Sequence, residues 1–445
     1  MVLVLVLSGI LFVLAILVGV RRATLTVMLM RPSCDHFFGW MQDVLHQSKG
    51  PGAAINLLVI ALFIIALIHA PRAFLSPVPV AWGVFLVTAL ASLIHGPNPG
   101  DGTRLLATLI TYATVVSLPF AIVRNRDTAV QCLSTVLLSS LVPSVVGMVE
   151  LAIVPDILRG EARGQSTFAH PNMFGYFILL IIVVILFLTR STLGRLTRMR
   201  CWMLYAYIVL LIILLMFTKA RAAWIAMAIV LSGYALFIDR RWFVFIILVP
   251  FALLIPAIAD RVSDLYTGNV DMGYETLNSL AWRRVLWDNT LQWMADNPPG
   301  LLGHGLDLYQ SYLPQFFSRG AYQEGIGAHN TLLQIYFEMG AVGLFGFLAI
   351  FFVLLTQLLR GLGRARDGTI LMALLCASYV VASYTDNVLD YLQYQWSFWF
   401  VLGTVLAWMR LWSTAPVPGE IRTANRSENY RVAAHPARGW PPPNR

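Results

Sequence analysis

The chain has 445 residues, 58% of them hydrophobic and only 12% charged, with a formal charge of +9. Soluble domains carry about 25% charged residues, and repeated apolar runs of ~20 residues, each long enough to cross a ~30 Å hydrocarbon core as a helix, exclude a soluble fold. The alternating ten-residue strands of an outer-membrane barrel are absent, and arginines that fall in short loops between apolar runs and in the tail exclude a nucleic-acid-binding face.

The pattern predicts an all-α polytopic transmembrane bundle of about twelve spans, at 2–20, 52–70, 78–95, 104–123, 128–154, 171–189, 202–217, 221–238, 242–259, 329–357, 368–385 and 393–413. The first run, Val2 to Val20, lacks a basic n-region and a small-residue cleavage site, so it reads as an uncleaved signal anchor. Segment 23–41 begins apolar but carries Arg31, Pro32, Asp35 and His36, and is expected to be interfacial or partly inserted. Cys34, Cys132, Cys201 and Cys376 lie in or beside apolar runs without a C-x-x-C pair, which suggests neither a disulfide framework nor a zinc site.

Basic loops set the orientation. Arg124 with Arg126, Arg190 through Arg200, Arg240 with Arg241, Arg360 through Arg366 and the arginine-rich tail alternate onto one side, which the positive-inside rule makes cytoplasmic. One discord is Arg21 with Arg22, which face outward if 2–20 is the only span before residue 52. Five regions follow: N-terminal helices at 1–154, central helices at 155–259 with an outer loop at 155–170, a large periplasmic loop at 260–328, C-terminal helices at 329–413, and a disordered cytoplasmic tail at 414–445.

Polar residues on the outer side are few. Lys219 and Arg221 open a span in Thr218-Lys219-Ala220-Arg221-Ala222, against the positive-inside bias. They are either a snorkelling pair or an anion site, because a guanidinium fork and a helix N-terminus both favour phosphate. Arg283 and Arg284 stand in an otherwise acidic loop, in Trp282-Arg283-Arg284-Val285-Leu286-Trp287. If that stretch is helical, Arg283 and Trp287 share a face and Arg284 points about 100° away. The ordinary role for one of them is an ion pair with Asp288 or Glu275.

His329 and Asn330 sit where the outer loop enters a purely apolar run. A lone histidine there is more often a structural hydrogen-bonder than a catalyst, but imidazole changes charge near neutral pH and can accept a proton from a sugar hydroxyl. In the outer loop, Arg163 is a further phosphate candidate and Asn172 can cap a helix or line a pocket. Tyr309, Tyr312, Tyr322, Trp287 and Trp293 are either sugar-stacking surfaces or an interfacial belt, while Gly340, Gly343 and Gly346 fit close helix packing. No D-x-D, H-E-x-x-H, P-loop or G-x-S-x-G motif occurs.

Four blocks in this order resemble the O-antigen ligase and O-antigen polymerase superfamily of bacterial inner-membrane glycosyltransferases. They are Arg163 through Asn172, Thr218 through Ala222, Arg283 through Trp287 with Asn297-Pro298-Pro299-Gly300 and Gly303-His304-Gly305, and His329-Asn330 through Gly340, spread over roughly 155–350. The resemblance implies transfer of a saccharide from undecaprenyl diphosphate to a glycan acceptor, a lipid A core or another lipid-linked chain, without metal or other cofactor. It also implies a periplasmic His and two Arg, carried over as His329, Arg221 and Arg283, with Arg284 as the alternative for Arg283. Arg163 remains a further donor contact, and Lys219, Asn172 and Asn330 are supporting residues. Ala220 replaces the family's small polar residue before the first Arg. With no carboxylate placed as a nucleophile, inversion is expected. A lipid-linked saccharide transporter or flippase is the reading from another class, expected to put its ionisable groups at mid-membrane. A non-catalytic scaffold of a polysaccharide machine is another.

Overall fold

A computed structural model describes residues 17–34, 51–159, 162–191, 193–194, 196–244, 279–317 and 327–414. The anticipated anchor before residue 17, most of the 242–259 span, the Arg195 loop position, Tyr322, Glu275 and the tail beyond residue 414 lie outside the described residues.

Fifteen α-helices and no strand occur among the described residues. They are α1 (Val20–Met30), α2 (Pro51–His69), α3 (Pro77–His95), α4 (Pro99–Ile122), α5 (Arg126–Ser139), α6 (Leu141–Ile153), α7 (Pro155–Arg159) and α8 (Pro171–Arg190). Then come α9 (Arg198–Phe217), α10 (Arg221–Phe237), α11 (Ser279–Asp296), α12 (Tyr309–Phe316), α13 (Thr331–Leu359), α14 (Arg366–Thr385) and α15 (Leu392–Thr414).

Eight stretches among the described residues are long and apolar enough to cross a membrane. The predicted 128–154 span is one of these, broken at Ser140 into α5 and α6. α10 is apolar but has only 17 residues. The 23–41 segment overlaps the 11-residue α1 and includes a short 3-10 turn, Arg31–Ser33, while its positions from 35 on lie outside the described residues. Its 3-10 turn is tied to the loop before α8, where Thr167 Oγ1 donates to the Pro32 carbonyl at 2.7 Å.

α8 is apolar on all sides and is buried almost throughout, the behaviour of a helix surrounded by others. Around it pack α5, α9, α10, α14 and α15. α15 stacks along α4, and its Trp399 stands edge-on to Trp82 of α3 at 4.9 Å. Gln393, Gln395, Ser397 and Thr404 are buried in α15, so this helix was recognisable by length rather than by uniform apolarity.

α13 is interrupted at Gly340, whose φ of 63° and ψ of −162° lie in a region open essentially to glycine. The break frees carbonyls and amides, and the preceding loop takes them up. His304 and Gly305 N–H donate to the Phe337 and Glu338 carbonyls, both at 3.0 Å, while Ala341 and Val342 N–H donate to Gly300 and Leu301, both at 3.1 Å. A Cβ on Gly340 would lie 2.5 Å from the Leu301 backbone, and one on Gly303 would lie 2.2 Å from that of Glu338. The buried Glu338 carboxylate also accepts the Asp307 and Tyr309 N–H groups and the Gln334 amide. Gly340 is therefore a backbone-docking position, and Gly303-His304-Gly305 is the segment docked on it.

Above this strap α11, α12 and the start of α13 form a small core of their own, built on Leu286, Met294, Tyr309, Leu313, Phe317, Ala328 and Phe337. Tyr309 is buried, its hydroxyl bonded to Thr290 at 2.7 Å, and Trp293 packs against His304, Tyr312, Phe316 and Phe337. These rings are occupied in holding the loop together.

Candidate active site

The start of α13 is clasped to the turn between α14 and α15. Asn330 is the N-cap, its side chain accepting the Leu332 and Leu333 N–H groups at 3.1 Å each. Its own N–H donates to Asn387 Oδ1 at 3.1 Å. Thr331 Oγ1 donates to the Asp386 carbonyl at 2.9 Å and accepts the Val388 N–H at 3.0 Å. The preceding residue, His329, adopts a left-handed φ of 47°, rare for a residue with a side chain. This turn leaves the His329 side chain 33% exposed, with Nδ1 3.4 Å from Asp386 Oδ1. The Trp282 ring stands edge-on to the imidazole at 5.4 Å.

Asp386, 57 residues beyond His329, is buried, and every contact stabilises its charged form. Asn172 Nδ2 and the Tyr391 hydroxyl each donate to Oδ2 at 2.6 Å, and the Asn387 N–H donates to Oδ1 at 3.1 Å. Burial raises its pKa, but His329, Arg283 and Tyr391 outweigh that and hold the carboxyl at about 2. With an ionised carboxylate at Nδ1, a neutral imidazole keeps its proton there and turns the Nε2 lone pair outward.

Asn172 stands in the first turn of the central helix α8, so the partial positive charge of that helix end reaches the same carboxylate. His170 caps the helix, its Nδ1 accepting the Asn172 N–H at 3.1 Å. Burial holds His170 below the ordinary histidine value; Asp386 opposes this, while Arg163, His329 and Arg283 reinforce it. Arg163 Nη2 donates to Asn172 Oδ1 at 2.5 Å, and its Nε donates to the Thr218 carbonyl at 2.9 Å. A continuous chain of polar contacts therefore runs His329, Asp386, Asn172, Arg163, Thr218.

Thr218 begins the turn between α9 and α10. Lys219, at a φ of 50°, is buried, and its Nζ donates to the Ala162 carbonyl. Arg221 opens α10, half-buried, behind an Ala220 N-cap that offers no side-chain acceptor. The loop before α8 is braced by Glu150, whose carboxylate accepts the Gln165 and Ser166 N–H groups.

The two arginines of α11 part company. Arg283 is half-buried and acts electrostatically on Asp386 and His170, whereas Arg284 is exposed. Arg283 is the one that acts on the cluster, through Asp386, while Glu275, one of the ion-pair partners anticipated for the pair, lies outside the described residues. The sequence-derived candidates His329, Arg163, Asn172 and Arg283 thus meet around one carboxylate, with Lys219 and Arg221 at the adjoining turn, Asn330 as a cap and Arg284 outside. Asp386, Asn387 and Tyr391 were missed from sequence.

These features define a polytopic helical membrane protein with a charged, partly exposed polar cluster at one end of its spans. Residues 206–348 match the family model described as O-Antigen ligase, and the resemblance to that superfamily is thereby shown. The matched stretch includes Lys219, Arg221, Arg283 and His329, while Arg163, Asn172 and Asp386 fall outside it. No curated protein matches the chain. The family match supports a function of the O-antigen ligase and polymerase type in cell-surface polysaccharide biosynthesis, with glycosyltransferase-like activity on lipid-linked glycans within a membrane.

Proposed function

We propose that the chain transfers a saccharide from an undecaprenyl diphosphate carrier to an acceptor glycan, with O-antigen ligase-like chemistry at the periplasmic face of the inner membrane. The observation that carries this reading is the His329–Asp386 pair, a partly exposed imidazole backed by an ionised buried carboxylate. In the proposed reaction His329 Nε2 takes the proton of the acceptor hydroxyl, whose oxygen attacks the anomeric carbon. The bond to the diphosphate oxygen breaks as the new glycosidic bond forms, with inversion, and undecaprenyl diphosphate leaves carrying the electron pair.

Charge grows on the diphosphate in that transition state. Arg221 and Arg283 bind it bidentately, with Lys219 and the α10 N-terminus adding positive charge nearby. Preorganised cations next to low-dielectric lipid stabilise the transition state more than the ground state, and the step needs no metal. Asp386 is a positioning residue: it sets the imidazole tautomer and stabilises the imidazolium that forms. Arg163 braces Asn172 and Thr218 and adds to the field, and Arg284 is the weaker donor candidate. Polymerisation of lipid-linked chains would use the same chemistry with a different acceptor.

The test is transfer by purified protein from a lipid-diphosphate saccharide with chelator present. Release of undecaprenyl diphosphate coupled to glycosylation of a lipid A core supports a ligase, and coupling to chain growth on a second lipid-linked saccharide supports a polymerase. Movement of intact lipid-linked saccharide between leaflets, without bond cleavage, would sink the enzyme reading in favour of a flippase.

A further inference from the structure

At the end of the bundle remote from His329, three helix ends surround a cleft of about 370 Å³. It is lined by Arg360 and Arg364 after α13, Arg410 near the end of α15, and Gln357. Ser76 and Pro77 at the start of α3 close one side. The remaining wall is apolar, with Leu75, Phe120, Leu406 and Met409. Among the described residues, none that lines it is acidic.

The convergence is built by the backbone. The chain leaves α13 through a tight turn in which the Gly361 and Leu362 N–H groups donate to Leu358 and Leu359, and Arg364 N–H to Gly361. A Cβ on Gly361 would lie 1.9 Å from Met409, so glycine lets this turn press against α15 beside Arg410. Arg410 Nη1 donates to Ser76 Oγ at 2.7 Å and to the Ala73 carbonyl at 3.3 Å, which fixes its guanidinium at the cleft's edge. Leu75 remains 75% exposed beside it.

Basic residues at helix C-termini are common, since they complement the dipole. That accounts for the position of each arginine along its own helix. It does not account for guanidinium groups from two helices meeting over an apolar-walled cleft that opens between spans. A ligand that fits has an anionic phosphate for the arginines and acyl chains for the apolar wall.

We propose that this cleft binds one anionic phospholipid, its phosphate held by Arg360, Arg364 and Arg410 and its acyl chains laid along Leu75, Phe120, Leu406 and Met409. The site is distinct from the proposed donor-diphosphate site, which lies at the opposite end of α13.

Native mass spectrometry of the full chain in zwitterionic nanodiscs tests it by titration with phosphatidylglycerol, phosphatidylcholine or inorganic phosphate. The wild-type protein should retain phosphatidylglycerol over phosphatidylcholine, and Arg360→Gln/Arg364→Gln/Arg410→Gln should weaken that binding on the order of a hundredfold. Because Arg410 also holds Ser76, the Arg360→Gln/Arg364→Gln pair supplies a second variant, expected to lose on the order of tenfold or more. Arg198→Gln/Arg200→Gln, exposed at the same end but outside the cleft, should retain full binding. Equal phosphatidylglycerol binding by the cleft variants would overturn the proposal, as would displacement of the lipid by an equal concentration of inorganic phosphate.

Discussion

Asp386→Asn isolates the charge behind His329 with little change of shape. The carboxyl is held at about 2 instead of 3.8, which favours its ionised form by on the order of 2 kcal/mol. His329 is the largest of the contacts that lower it, so much of that free energy couples the two residues. An amide in its place removes the charge and can present an N–H to Nδ1, which would move the imidazole proton to Nε2 and so block the base position. Losing the coupling alone slows transfer on the order of 10- to 30-fold. Inverting the tautomer as well pushes the loss toward the ~10²–10⁴ that a general base supplies. The assay is in vitro transfer from a lipid-diphosphate saccharide, with donor binding measured separately and monodispersity checked by size exclusion. Donor binding should survive, and Asp386→Asn placed in a His329→Gln background should add little. Wild-type transfer by Asp386→Asn, or additive losses in the double variant, would refute the pairing.

Other outcomes follow from the same geometry. Arg283→Ala should abolish most transfer and raise the donor KM, while the exposed Arg284→Ala stays within a fewfold of wild type; the reverse pattern would move the donor site off the Asp386 side of α11. Arg221→Lys keeps charge but loses the bidentate fork, and should cost at least tenfold in kcat/KM with normal membrane insertion. Gly340→Ala places a side chain in a glycine-only conformation against the Leu301 backbone, so strain alone costs roughly 1–3 kcal/mol, read as a lower thermal midpoint and looser proteolytic protection of 297–309. Because the folded Asp386 carboxyl lies below its unfolded value, its stabilisation is complete above about pH 4 and is lost as pH falls through about 2. Thermal midpoints of wild type and Asp386→Asn should therefore converge between pH 5 and pH 2, and parallel curves would contradict the shift.

The spans were legible because a helix in lipid must satisfy its backbone internally and turn apolar side chains outward, which leaves long apolar runs in the sequence. Arg163, Asn172 and His329 could be picked out as polar groups near the ends of apolar runs, and Arg283 as a basic residue in an otherwise acidic loop. Their shared partner could not. Asp386 shares a short turn with Asp390, and only tertiary packing of α13 against α14 and α15 brings it to His329. Acidic residues in a short turn between two apolar runs were the available signal. Gly340 misled for another reason: spaced with Gly343 and Gly346 it reads as a helix-packing stripe, whereas its positive φ serves a loop strapped across the helix. Tyr309 and Trp293 read as either sugar-stacking surfaces or an interfacial belt, because sequence does not distinguish either from a small core of their own.

The central claim is that His329 accepts the acceptor's proton while the arginines hold the donor. His329→Gln tests it most directly, since glutamine can hydrogen-bond but cannot take the proton. Purified variant and wild type are compared for donor binding and for single-turnover transfer from the same lipid-diphosphate saccharide. The account predicts unchanged donor binding and a transfer rate lower by about 10²–10⁴. Transfer by His329→Gln at the wild-type rate would contradict it.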